Sequence, residues 1–283
     1  MKVLNKKSKA ADSLTSFEKE FIHKEKVNPV VKAGSIVLYV TVIVAVSACI
    51  LMAVLDKSGV APSPLSDKDK VADKAHVVDV SSHPESLQKL YNENFETADF
   101  VASYFNEKDK VREVSLKKYQ RTKEVPLFVQ WDKQWGYLQY GNDIIGVNGD
   151  APVCLAMVGY YLTGDERFSP DKVAAFALEN GYYKNDKGTL SSIMKEGAEK
   201  LGLISAVLEV SEENIAAALN EEKVVICLID KGVISASEHY IVLREYADGK
   251  LFINDPTSVV NSEKEWVCAD IVSAVKKAWV ITK

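Results

Sequence analysis

Long apolar runs and shorter periodic segments divide the chain into parts of different character. Residues 33–55 contain no charged side chain, and at a rise of about 1.5 Å per residue a helix of this length crosses a hydrocarbon core about 30 Å thick. Residues 153–162 are apolar all round apart from Gly159 and two tyrosines, and a helix without a polar face lies in a protein core. The preceding Asn-Gly-Asp-Ala-Pro, residues 148–152, predicts a loop that turns sharply into this buried helix.

Other segments show the three- to four-residue spacing of amphipathic helices. Residues 84–91 place Leu87, Leu90 and Tyr91 on one face, and residues 96–105 repeat the pattern. We expect two short helices that pack on the domain that follows, with a recognition module as the alternative. Further helices are predicted within residues 171–179, 190–201 and 212–220.

Strand-like runs dominate the C-terminal part of the chain, after one early example. Their apolar and β-branched composition predicts strands in residues 125–130, 224–229, 239–244, 251–255 and 279–282. Asp248-Gly249 is a strong signal for a tight hairpin turn. The hairpin would place His239 and Asp255 at the same end of an antiparallel pair, with a register uncertain by about two or three residues. Helices followed by an antiparallel sheet predict an α+β fold.

Basic residues precede the charge-free run. Residues 1–32 carry eight lysines and four acidic residues, and positive charge before a span predicts a cytoplasmic N-terminus and an exported C-terminal part. A cleaved signal peptide is the alternative, but the long basic region and the long apolar run favour an uncleaved transmembrane helix at residues 33–55. Cys49 ends a lipoprotein-like Val-Ser-Ala-Cys box. The chain stays apolar after it, which favours a cysteine within the membrane helix.

The composition fits one good-sized globular domain with additional segments. The chain has 283 residues, is 47% hydrophobic and 27% charged, and carries a formal charge of −5, which gives no reason to expect nucleic acid as a partner. Three cysteines follow the predicted span, so at least one is unpaired and no disulfide framework is indicated. The predicted organisation is a cytoplasmic segment at 1–32, a transmembrane helix at 33–55, a linker at 56–80, a helical lead-in at 81–120 and the main domain at 121–283.

The candidate chemistry centres on His239. A lone histidine at a strand end is more often incidental than catalytic, but here the hairpin brings the carboxylate of Asp255 beside it. A histidine oriented by a carboxylate is the base half of a nucleophilic triad. Such a site also needs a nucleophile at a loop–helix junction, which residues 148–154 could supply, and an oxyanion donor, for which Gln130 is the candidate.

From about Pro84 to Lys283 the chain resembles the family-39-like cysteine peptidases, relatives of the bacteriocin-processing peptidases with a papain-like fold. The resemblance rests on ordered motifs: Pro84-Glu85-Ser86-Leu87, Glu96-Thr97-Ala98-Asp99-Phe100-Val101, Val125-Pro126-Leu127, Gln130-Trp131-Asp132, Trp135-Gly136, His239-Tyr240-Ile241-Val242-Leu243 and Asn254-Asp255-Pro256. It implies a central buried helix against an antiparallel sheet, with Gln130 as the oxyanion donor, His239 as the base and Asp255 as the residue that orients it.

The nucleophile motif departs from the family pattern. Members of the family read Gly-Cys-Gly-Pro-Thr, and this chain reads Gly-Asp-Ala-Pro-Val at residues 149–153. Asp150 therefore stands at the cysteine position, and Glu238 replaces the glycine usual before the histidine. A carboxylate is a far weaker nucleophile toward an amide than a thiolate. We expect Asp150 to cap its helix, worth about 1 kcal/mol, and to pair with protonated His239.

The resemblance and its departure together predict a membrane-anchored, extracytoplasmic pseudopeptidase that binds peptide or cell-envelope material. The alternative is an active hydrolase in which Cys154, one helical turn beyond Asp150, acts with His239 and Asp255. A buried core thiol is the favoured interpretation of Cys154. A third possibility, a divalent metal held by Asp150, His239 and Asp255, is disfavoured because Asp255 is expected to orient His239. No cofactor is expected.

Overall fold

The computed structural model describes residues 78–120, 123–221 and 223–283, all within one compact unit, Val77–Lys283. The predicted cytoplasmic segment, transmembrane helix and nearly all of the linker lie outside the described residues. Within the described ranges, no helix is both long and apolar enough to cross a membrane.

The helices lie mainly in the first half of the described chain. The α-helices are α1 (Glu85–Glu93), α2 (Ala98–Glu107), α3 (Ile145–Asn148), α4 (Asp150–Thr163), α5 (Pro170–Glu179), α6 (Glu196–Lys200), α7 (Glu212–Asn220), α8 (Val259–Ser262) and α9 (Cys268–Ala274). Short 3-10 helices occur at Phe95–Thr97, Lys117–Tyr119, Glu166–Phe168 and Ser191–Met194.

One antiparallel sheet of six strands forms the centre of the fold. The strands are β1 (Gln139–Tyr140), β2 (Asp143–Ile144), β3 (Tyr183–Lys184), β4 (Gly188–Thr189), β5 (Ile204–Leu208), β6 (Val224–Ile229), β7 (His239–Ala247), β8 (Lys250–Asn254), β9 (Glu265–Val267) and β10 (Val275–Thr282). The strand order in the main sheet is β5-β10-β6-β7-β8-β9, and β1-β2 and β3-β4 form two small hairpins. The antiparallel α+β architecture confirms the sequence-based prediction.

The central helix α4 packs against one face of the sheet. Its residues from Ala151 to Tyr160 are all buried, as expected for an apolar run without a polar face. Strand β6 is buried on both faces. Ile226 belongs to the core that contains α4, whereas Cys227 belongs to a second core on the opposite face. The sheet is therefore covered on both sides, which fixes the strand ends relative to the start of α4.

The lead-in packs through its own small core, as the amphipathic pattern predicted. Leu87, Phe100 and Val101 are buried together with Tyr137 and Ile144. The rings of Phe100 and Tyr137 stack with centroids 4.2 Å apart, and the Tyr137 hydroxyl donates a hydrogen bond of 2.7 Å to the Phe100 carbonyl. Helices α1 and α2 are thereby fixed to the main domain.

Two predicted elements are wrong. Residues 125–130 form no strand. Pro126 lacks an N–H group, and the segment is held by the Asn254 side chain, which donates to the Val125 carbonyl at 2.9 Å. The helix predicted at residues 190–201 is interrupted at Lys195, where a 3-10 helix ends before α6 begins. Strand β5 was not predicted, and it pairs along the edge of the sheet with β10.

Candidate functional site

The β7–β8 hairpin brings His239 and Asp255 together, as its turn sequence predicted. Asp248 and Gly249 both have positive φ, 49° and 77°, which a two-residue hairpin turn requires. His239 is the first residue of β7, and Asp255 follows the last residue of β8. The Nε2 atom of His239 lies 3.2 Å from Oδ1 of Asp255. The contact is an ion pair rather than an aligned hydrogen bond, because the N–H direction is unfavourable.

The Asp255 carboxylate is held by the loop that follows it, residues 255–261, which we call the aspartate loop. Its Oδ1 accepts hydrogen bonds from the backbone N–H and the hydroxyl of Thr257, at 2.8 and 2.7 Å. Its Oδ2 accepts one from the Asn261 amide at 2.9 Å. Complete burial would raise the pKa of Asp255, but His239, Asn261 and Thr257 outweigh it and lower the pKa.

Both ring nitrogens of His239 face acceptors. Besides the Asp255 contact at Nε2, Nδ1 lies 3.2 Å from the backbone carbonyl of Ser237. Burial opposes the charged imidazolium, but Asp255 and, more weakly, Asp150 outweigh it and raise the pKa of His239. Two acceptors are best met by two N–H donors, so the surroundings favour the imidazolium form.

Asp150 is the first residue of α4 and follows Gly149. A Cβ atom on residue 149 would lie 2.4 Å from the Ile145 carbonyl oxygen. Its Oδ2 accepts a hydrogen bond of 2.9 Å from the backbone N–H of Tyr240, the residue after His239. The residue at the N-cap position is Gly149 rather than Asp150. The Asp150 carboxylate turns toward β7, although the N–H groups of Ala151 and Asp150 at the start of α4 also act to lower its pKa. The expected pair with His239 is not formed at ion-pair distance, and only a weaker charge interaction remains. Dense packing raises the pKa of Asp150 despite that interaction and the Tyr240 hydrogen bond.

Gln130 lies beside this region, but its donors point elsewhere. The side chain is 4% exposed, and Nε2 donates to the carbonyls of Gly146 at 3.1 Å and Val147 at 3.4 Å. Its Oε1 atom is buried without a hydrogen-bond partner. The backbone N–H of Gln130 donates to the Pro256 carbonyl at 2.8 Å. In this conformation the amide group presents an acceptor, not the N–H donors of an oxyanion site.

Cys154 lies inside the protein on α4. It is fully buried and free, and burial, with the negative charges of Asp150 and Asp255, raises its pKa well above the ordinary range. It is not among the residues that line the pocket containing Asp150 and His239. Cys227 and Cys268 are also free and buried, which agrees with the expected lack of a disulfide framework in the described chain.

A pocket of about 900 Å³ contains the candidate residues and is hereafter the central pocket. Gln130, Asp150 and His239 line it, whereas Asp255 is fully buried behind His239. One wall is formed by the lead-in: Ser86, Lys89, Leu90, Glu93, Asn94, Phe95 and Glu96. The lead-in therefore contributes directly to the surface that a ligand would contact.

Hydrogen bonds tie this lead-in wall to the aspartate loop. The Asn94 amide donates to the Thr257 carbonyl at 2.7 Å. The Glu96 carboxylate accepts from the Ser258 hydroxyl and from the backbone N–H groups of Val259 at 2.8 Å and Val260 at 3.2 Å. Glu96 thus holds the loop that in turn holds Asp255.

Sequence reasoning missed these supporting residues. Thr257 and Ser258 follow Asp255-Pro256, and an Asp-Pro pair followed by Thr and Ser is a local signal for side-chain hydrogen bonds within a turn. Glu96 lies more than 160 residues away from the loop in sequence, and its charge pattern gives no such signal.

Asp150, His239 and Asp255 do not suit the divalent-metal site that the sequence left as a third possibility. Within the described ranges, no group of three or more His, Cys, Asp or Glu side chains could hold a metal ion. The Asp255 oxygens accept from Thr257 and Asn261 and face His239. Asp150 is the one member of the predicted set whose carboxylate faces the central pocket without a side-chain donor.

Comparisons with known proteins give structural matches only. No family model and no curated protein matches the chain. It is similar to the peptidase domain of Streptococcus ComA, a bifunctional ABC transporter of a quorum-sensing pathway, with 18% identity over 56% of this chain and 98% of that domain, at a TM-score of 0.41. It is also similar to a protein described as a C39-like peptidase from Bacillus anthracis, with 15% identity over 57% of this chain and 96% of that one, at a TM-score of 0.39.

Proposed function

We propose that the chain is a membrane-anchored, extracytoplasmic relative of papain-like cysteine peptidases that binds peptide or cell-envelope material without cleaving it. The observation that carries the proposal is the carboxylate of Asp150 at the start of the central helix, where the family-39-like peptidases have cysteine. A carboxylate attacks amides poorly, and the anhydride that it would form is high in energy. A site with a pocket but no competent nucleophile suits binding.

The neighbouring groups support this proposal. In a cysteine peptidase the imidazole takes up the thiol proton, and an N–H donor stabilises the oxyanion. Here one nitrogen of His239 faces Asp255 and the other faces the Ser237 carbonyl. The amide donors of Gln130 are bonded to the carbonyls of Gly146 and Val147. Neither group is directed toward a substrate carbonyl.

The alternative hydrolase would use Cys154 as its nucleophile. A reactive cysteine needs thiolate character and access to substrate, and Cys154 is fully buried with a raised pKa. These properties favour a core thiol and make the alternative the weaker of the two.

The proposed anchor and location rest on the sequence. The uncharged run at residues 33–55 follows a lysine-rich segment, a pattern that favours a single-pass helix with a cytoplasmic N-terminus and an exported domain.

The test combines a cleavage assay with restoration of the thiol. We expect the full-length protein to leave a mixed peptide library intact, and Asp150→Cys to create a thiol that iodoacetamide modifies faster at neutral pH than the thiol of Asp109→Cys. Nearby His239 would favour the thiolate, whereas the Asp109 side chain is 80% exposed and distant from the pocket lining. Peptide cleavage by the unmodified protein that alkylation blocks would contradict the proposal. An unreactive Asp150→Cys thiol would show that the site has lost more than its nucleophile.

A further inference from the structure

We infer that the centre of the central pocket binds a primary ammonium group, either a lysine side chain or a free peptide N-terminus. The inference rests on the proposed function, because it names the chemical group of the peptide ligand that the pocket recognises. In this pocket, hydrogen-bond acceptors would face the ligand, whereas a peptidase presents N–H donors to its substrate.

The first acceptor is Asp150. Its carboxylate is partly exposed to the central pocket, and Oδ2 accepts a hydrogen bond from the backbone N–H of Tyr240. No lysine or arginine of the described chain lies within ion-pair distance of it, although Lys89, Lys187 and Lys264 also line the pocket. A carboxylate without a cationic partner in a densely packed site is an attractive position for a ligand cation.

The second acceptor is Gln130. Its side chain is 96% buried, lines the same pocket, and leaves Oε1 without a partner. Rotating the amide by 180° would not correct this, because Oε1 would then face the carbonyl oxygens of Gly146 and Val147. A buried polar atom without a partner costs free energy, and a donor supplied by a ligand would remove that cost.

His239, which also lines the pocket, does not offer a donor to a ligand. The nitrogens of His239 face Asp255 and the Ser237 carbonyl. The centre is therefore rich in acceptors, and an ammonium group, with three N–H donors and a positive charge, complements it. A divalent metal fits less well, because it takes several protein ligands and the described chain has no group of three or more His, Cys, Asp or Glu side chains that could hold one.

The experiment titrates the full-length, ¹⁵N-labelled protein with three probes at pH 7 and follows the Tyr240 amide resonance. Nα-acetyl-lysine methylamide carries a side-chain ammonium, alanine methylamide carries an α-ammonium, and Nα,Nε-diacetyl-lysine methylamide is neutral. We expect one of the ammonium probes to bind at least about tenfold more tightly than the neutral probe, as for a hydrogen bond to a charged group. The tighter of the two identifies the source of the ammonium.

Two variants and one competitor complete the test. Asp150→Asn keeps an acceptor for the Tyr240 N–H and should weaken ammonium binding about tenfold, whereas Asp109→Asn should leave it unchanged. Equal binding of the neutral probe, no response to either ammonium probe, or displacement of both probes by micromolar Ca²⁺ would overturn the inference. If peptides whose lysine side chains and N-termini are both acetylated bind as well as the unmodified peptides and remain intact, the inference fails while the proposed function stands. If they are cleaved, the proposed function fails.

Discussion

The site consists of two halves that differ in how completely their polar atoms are paired. In the orienting half, His239 and Asp255 with the aspartate loop, Thr257 and Asn261 donate to the Asp255 carboxylate and His239 forms an ion pair with it. In the reactive half, Asp150 accepts from the Tyr240 N–H and Gln130 donates to the Gly146 and Val147 carbonyls, but the Gln130 Oε1 atom has no partner. The orienting half is therefore part of the folded framework, whereas the reactive half leaves hydrogen-bond acceptors available beside the pocket.

This difference concerns how strongly each half is tied to the fold. The orienting half joins the ends of the β7–β8 hairpin and the aspartate loop through buried side chains, so its loss would disturb the fold itself. The reactive half depends on the identity of side chains at the start of α4, and Asp150 fits there with a backbone hydrogen bond to β7. We therefore expect a substitution at this position to leave the structural elements around it in place.

The largest expected effect is the loss of the Asp255 carboxylate. Asp255→Ala would remove the acceptor for Thr257 and Asn261 and leave His239 without its countercharge, so we expect the free energy of unfolding to fall by about 3–5 kcal/mol. Urea denaturation would measure it. A change no larger in magnitude than that caused by Asp150→Asn would contradict the distinction between the two halves.

The orienting half was predictable from the sequence because its signals are local. Asp248-Gly249 identifies the hairpin, and the apolar runs on either side identify β7 and β8, so His239 and Asp255 follow from chain geometry. The apolar composition of α4 likewise placed it in the core. The edge strand β5 was missed because Ile204, Ala206 and Val207 are exposed and give no buried-strand pattern.

The residues of the reactive half could be predicted from the sequence, but the directions of their side chains could not. The motif placed Asp150 at the nucleophile position, yet the direction of its carboxylate toward Tyr240 depends on packing of α4 against β7. The same holds for Gln130, whose amide orientation is set by the Gly146 and Val147 carbonyls. Long-range side-chain hydrogen bonds, such as those of Glu96, have no periodic signature in a sequence.

A smaller effect is expected when the lead-in is uncoupled from the orienting half. Glu96→Ala removes the acceptor of two backbone N–H groups and the Ser258 hydroxyl. We expect the free energy of unfolding to fall by about 1–3 kcal/mol and the amides of Val259 and Val260 to exchange faster with deuterium. Glu93→Ala, at an exposed position on the same wall, is the control. Unchanged exchange at both amides would show that Glu96 does not hold the aspartate loop.

For the reactive half we expect a still smaller change in stability, and one that depends on pH. The folded-state pKa of Asp150 is raised by burial, so the ionised carboxylate reduces stability as pH rises from about 3.9 through that folded-state pKa. Asp150→Asn should therefore be more stable than the unmodified protein at pH 7, by about 0.5–2 kcal/mol, and the two should converge below pH ~4. Thermal melts across this range would measure the difference. A variant that is less stable at pH 7 would show that the ionised carboxylate stabilises the fold.

The smallest expected effect distinguishes the hydrogen bonds of the lead-in wall from its apolar contacts. Phe95 lies between Asn94 and Glu96, which both contact the aspartate loop, but its side chain is 77% exposed and lines the central pocket. Phe95→Ala should change the free energy of unfolding by no more than about 0.5 kcal/mol and leave exchange at Val259 and Val260 as it is in the unmodified protein. The lead-in would then support the orienting half through hydrogen bonds alone, and Phe95 would remain available to a ligand. A loss of stability as large as that of Glu96→Ala would instead mean that apolar contact by Phe95 holds the loop.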